Sequence, residues 1–118
     1  MCPITKAARD ALPASEPGGT RTTCFNCTRV NGTTFLVVED DKWNETPFIY
    51  VKVYDNVLVL VDTGCGGAAK NEAATLTNLR EFLETYPVED NEGRPLNLGA
   101  QRDYIVLCSH CHFDHIGV

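Results

Sequence analysis

Ser109-His110-Cys111-His112-Phe113-Asp114-His115-Ile116-Gly117 is the stretch on which the reading of this chain turns. All three histidines of the protein fall inside it, and an aspartate stands between the second and the third. Immediately before it, Tyr104-Ile105-Val106-Leu107-Cys108 is a short apolar run of the kind that forms a buried strand. A strand that delivers His-x-His-x-Asp-His into a loop gathers several metal-capable groups around one point. Imidazole nitrogens and a carboxylate oxygen are donors that zinc accepts. His110 and His112, two apart in extended chain, project to one side and can share an ion. Asp114 and His115 follow where the chain turns, so they point to a neighbouring ion. Two metals about 3.5–4 Å apart would form a hydrolytic pair.

Upstream of the last strand, residues 88 to 102 read as a polar connector. Before them, Ala68 to Tyr86 carries Leu76, Leu79, Phe82, Leu83 and Tyr86 at three- and four-residue spacing. That spacing predicts one amphipathic helix, stopped by Pro87 and packed on a core. The loop Asp62-Thr63-Gly64-Cys65-Gly66-Gly67 precedes it, with glycines that allow positive φ and close backbone approach. It lacks the Lys-Ser/Thr ending of a P-loop, which excludes nucleotide binding of that kind.

Further back, three runs read as strands. Thr33 to Glu39 is β-branched and aromatic, Phe48 to Tyr54 follows a polar loop, and Val57 to Val61 is apolar on both faces. Thr23 to Arg29 is a candidate first strand. Residues 1–22, rich in Ala, Pro, Gly, Ser and Thr, read as a flexible N-terminal tail, and 23–118 as a partial domain.

The chain has 118 residues with a net charge of -6, and no Lys/Arg cluster offers a phosphate-tracking surface, so nucleic acid is not an expected partner. Its longest apolar run is too short to cross a bilayer, and no apolar segment of a secretory signal follows Met1, so a cytoplasmic location is expected. The sequons at Asn26, Asn31 and Asn44 are then incidental. Six cysteines include Cys24-x-x-Cys27 and Cys108-x-x-Cys111, which could in principle meet in a four-cysteine zinc site. Cys111 is interleaved with His110 and His112, so free thiols, mostly buried, are the expectation.

At the histidine stretch the chain resembles the metallo-β-lactamase superfamily. The resemblance covers the second half of the chain by motif, and Thr33 to Val61 by strand order alone. It implies an α+β fold, the N-terminal half of an αββα sandwich truncated after the first metal motif. It further implies that His110 and His112 are ligands of a first zinc, Asp114 and His115 ligands of a second, and Asp62 a brace of the metal loop. Iron or manganese could replace zinc. Asp114 would also be catalytic, orienting a metal-bound hydroxide and handling its proton. The implied activity is hydrolysis of a small-molecule ester, thioester or lactone, with phosphodiester cleavage, or a non-catalytic zinc-binding fragment, as alternatives. The family's remaining ligands lie downstream of its motif and have no counterpart here, so this chain is expected to be an incomplete, inactive fragment.

Overall fold

The computed structural model describes residues 22–66 and 69–109. Its centre is the period-two alternation of Phe35-Leu36-Val37-Val38-Glu39. In β2 (Thr34–Glu39) every second side chain is buried: Phe35, Val37 and Glu39. β3 (Phe48–Val53) and β4 (Val57–Val61) continue the same layer with Ile49 and Val51, then Leu58 and Leu60. Successive side chains of a strand point to opposite faces, so these residues line one face of the sheet. Each apolar one of them contributes about 1.5–3 kcal/mol by leaving water.

The sheet has five strands in sequence order. β1 (Phe25–Arg29), β2, β3 and β4 form an antiparallel meander, and β5 (Asp103–Leu107) joins β4 in parallel. Two reversals bring β4 back to the direction of β2, so β2, β4 and β5 all end at one edge of the sheet. The crossover before β5 is held by Asn97, which is fully buried. Asn97 Nδ2 donates to the Arg102 carbonyl at 3.0 Å and its Oδ1 accepts the Arg102 amide at 2.9 Å. Arg102 Nε in turn donates to the Tyr54 carbonyl at 2.7 Å, tying the start of β5 to the turn between β3 and β4.

The helix is shorter than its apolar stripe suggests. α1 spans Leu79–Thr85, with Asn78 as its N-cap accepting the Glu81 amide at 2.9 Å. It buries Leu79, Phe82 and Leu83, and Phe82 packs on Phe25 of β1 at 5.1 Å between ring centroids. Residues 69–78 are drawn into bridges with other segments instead. Ala69 bridges Asp41, Leu76 bridges Thr23, and the amides of Thr75 and Leu76 both donate to the Thr22 carbonyl. The β-branched Thr75 and Thr77 weaken a helix there, and Asn78 is a better start than any residue before it.

The expected αββα half-sandwich is therefore corrected. The described chain is a small, mostly β, five-stranded mixed sheet with one seven-residue helix. One short helix covers one face; it does not make a sandwich layer. No helix among the described residues is long and apolar enough to cross a membrane. The expected tail falls outside the described residues except for Thr22.

Candidate functional site

Asp62, Thr63, Gly64 and Cys65 leave β4 at the edge where β2 and β5 also end. Asp62 takes φ +66 and Gly64 φ +79, so the backbone swings through the left-handed region twice in three residues. A side chain in that region is strained, and Asp tolerates it better than most because its short carboxylate bonds locally. Here the bonds run to β5. The Asp62 amide donates to the Leu107 carbonyl at 2.7 Å. Its Oδ1 accepts the Ser109 amide at 2.7 Å, and its Oδ2 accepts the Ser109 hydroxyl at 2.8 Å. Ser109 is thus fixed by both its backbone and its side chain, and His110 is the next residue in the sequence.

Two further carboxylates stand at the same edge, and reading the sequence did not single them out. Glu39 is fully buried at the end of β2. Its Oε1 accepts the Cys65 amide at 2.8 Å, whereas Oε2 has no hydrogen-bond partner among the described residues. Burial raises its pKa first and the Asp41 charge raises it further, while the amides of Cys65 and Gly66 pull it down; the net direction is up. Gly64 lies directly against this carboxyl, and a Cβ there would collide with Glu39 Oε1.

Asp41 is 1 % exposed yet shifted the other way. Burial raises its pKa, but the amides of Thr46, Glu45 and Trp43 and the Cys65 thiol all donate to its carboxylate and win. The Thr46 amide reaches Oδ1 at 2.8 Å; those of Trp43 and Glu45 reach Oδ2 at 3.0 and 3.2 Å. Glu39 was legible in principle: the Phe35-x-Val37-x-Glu39 alternation places a carboxyl on the buried face. Asp41 had no such signal, because it lies past the strand.

Of the site residues expected from the sequence, Asp62 lies just past β4 with its carboxylate on Ser109. His110, His112, Asp114 and His115 lie outside the described residues. Among the described residues no group of three or more His, Cys, Asp and Glu side chains is placed to hold a metal. The four-cysteine arrangement meets a geometric obstacle. Cys24 and Cys27 belong to the β1 edge, and Cys108 follows β5 at the other, four strand spacings or about 19 Å away. Cys24, Cys27, Cys65 and Cys108 are all thiols, of which only Cys24 is buried. Desolvation first, then nearby acidic charge, pushes Cys24 and Cys27 up to about 12, so both are poor nucleophiles.

Comparison with known proteins does not lead to the family that the histidine motif suggested. It is 48% identical over 95 residues to a protein of Aspergillus versicolor named "Putative transcription factor avaE". That alignment takes in 80% of this chain and 28% of the relative, so the chain spans little more than a quarter of the relative's length. No family model and no solved structure matches it. The resemblance to the metallo-β-lactamase superfamily is corrected accordingly: it rested on the run from His110 to His115, on Asp62-Thr63-Gly64 after the third strand, and on a strand order. A sheet ending in a ligand-rich loop is common to unrelated folds.

Proposed function

We propose that this chain carries part of a metal centre for hydrolysis, with His110, His112, Asp114 and His115 as its ligands. The observation that supports this reading is the pair of hydrogen bonds that Ser109 donates to the Asp62 carboxylate, which fixes where the chain departs toward His110. Fixing the approach to a ligand loop is what such a site requires, because donors must be held in place before the ion arrives. The donor set, three imidazoles and one carboxylate, fits zinc, with iron or manganese as alternatives. A bound zinc lowers the pKa of water toward neutrality and polarises a carbonyl. Within the chain, Asp114 is suited to accept a proton from the attacking water, and Asp62 keeps the loop from shifting. The substrate class proposed is a small-molecule ester, thioester or lactone, with a phosphodiester as the runner-up. A cytoplasmic setting belongs to the same proposal, supported by the four thiols.

A second reading, a segment of a transcription factor, is favoured by the name of the relative. The net charge of -6 speaks against direct phosphate tracking. The test is the zinc content of the purified chain. His112→Ala should weaken zinc binding by about tenfold or more, while Cys111→Ala leaves most of it. Equal retention in both variants would sink the metal reading. Salt-sensitive binding to duplex DNA that His112→Ala leaves intact would favour the second.

A further inference from the structure

The loop that carries Asp62 needs a hold of its own, since its backbone passes through positive φ at residues 62, 64 and 66. Three observations converge on one side chain. The Glu39 carboxyl is fully buried and accepts the Cys65 amide at 2.8 Å. Gly64 packs so closely on Glu39 Oε1 that no Cβ fits between them. The third is position: Glu39 ends β2, Asp62 follows β4 and Ser109 follows β5, all at one edge of the sheet. We propose that Glu39 is a positioning residue: it pins Gly64 and Cys65 so that the Asp62 carboxylate stays on Ser109. This rests on the metal reading only for its purpose. The mechanical link from Glu39 through Cys65 and Asp62 to Ser109 stands without it.

A carboxyl buried merely to fill space would be replaceable by an apolar side chain of its own length. A carboxyl buried to accept the Cys65 amide is replaceable by an amide and by nothing apolar, because the Cys65 amide would otherwise be left without its acceptor. Glu39→Gln keeps an acceptor oxygen, and Glu39→Met keeps the length without it. The readout is hydrogen exchange at the Ser109 amide, which Asp62 Oδ1 accepts, compared with the amides of Val37 and Val51 in the core of the sheet.

In the full chain, Glu39→Met should speed exchange at Ser109 by about tenfold or more, with Val37 and Val51 within about threefold, and Glu39→Gln should match the parent at all three. Unchanged exchange at Ser109 in Glu39→Met would overturn the proposal. So would equal loosening in both variants, which would make the charge and not the acceptor the cause. Loosening of Val37 and Val51 to the same extent as Ser109 would show a general stabilising role and overturn it as well. Titration with Co2+ separates this from the metal reading. If the parent chain binds Co2+, Glu39→Met should weaken it about tenfold and Glu39→Gln should restore it; unchanged Co2+ affinity in Glu39→Met would count against the positioning role. No Co2+ binding by the parent chain would sink the metal centre and leave the Ser109 result to decide the positioning role alone.

Discussion

The two faces of the sheet differ more than the strand sequences would suggest. On the face toward α1, Phe35, Val37, Ile49, Val51, Leu58 and Leu60 are buried beneath Leu76, Leu79, Phe82 and Leu83. On the other face, the register aligns Leu36, Tyr50, Val61 and Leu107 across four neighbouring strands. Tyr50 and Leu107 in that row are 43% and 53% exposed, and Phe48 and Ile105 nearby are 49% each. The strands are apolar on both sides, yet among the described residues one seven-residue helix and its flanking segment cover only one. Hydrophobic patterning therefore sets which residues can be buried, and the number of covering elements sets which are.

The largest expected effect comes from breaking the covered face. Leu58 is fully buried in the central layer. Leu58→Ala removes three heavy atoms and leaves a cavity that strands on either side cannot easily close. The expected cost is about 2–5 kcal/mol, read by chemical denaturation. Tyr50→Ala, on the open face, should cost well under half as much as Leu58→Ala. Equal losses would mean that the open face is covered in solution.

A middle-sized effect concerns the polar end of the same covered face, where Glu39 and Asp41 sit two residues apart with opposite shifts. Glu39 holds its proton more tightly when folded than when unfolded. Its contribution is fully present below the ordinary carboxyl value of 4.5 and is lost as pH rises through the folded value. Asp41 behaves conversely: its contribution is present above the ordinary value of 3.8 and is lost as pH falls through the lowered folded value. Glu39→Gln should therefore flatten the decline of stability on the alkaline side. Asp41→Asn should cost about 1.5–3 kcal/mol at neutral pH, because three amides lose a charged acceptor, and should flatten the acid limb. Denaturation midpoints for both variants between pH 3 and pH 9 (a range of about six units) check the signs. A Glu39→Gln profile parallel to the parent's on the alkaline side would mean that Glu39 is not the group responsible.

How much of this was legible in the sequence follows the same division. The strands lie close to the β-branched and aromatic runs because period-two alternation is a local signal. The helix was overdrawn at its start because Leu76, part of the apparent stripe, is buried in a bridge with Thr23, a partner 53 residues away. Nothing local distinguishes those two ways of burying a leucine. Asp62 was picked out only through the family resemblance, as the Asp of Asp62-Thr63-Gly64 after the third strand. Its bond to Ser109 depends on β4 and β5 being parallel neighbours, which no short window of sequence contains. The motif that pointed to a known family was also local, and the comparisons with whole proteins did not follow it.

The smallest change in stability is expected on the open face, and there the informative readout is association. Leu107 lies at the end of β5, an edge strand among the described residues, opposite Val61, and is half exposed. A strand with a neighbour on one side only presents backbone donors and acceptors along its outer edge, and apolar side chains beside such an edge favour pairing with other chains. Natural edges are protected by charge, most often a lysine. Leu107→Lys removes little buried surface, so its effect on the denaturation midpoint should stay within about 0.5 kcal/mol. It should nevertheless lower concentration-dependent association, measured by sedimentation or light scattering. Phe35→Lys, on the covered face of β2, should do the reverse, unfolding the chain and increasing association. A Leu107→Lys variant that unfolds like Phe35→Lys would place Leu107 in a core, and the contrast between the two faces would then be an effect of what covers them in solution.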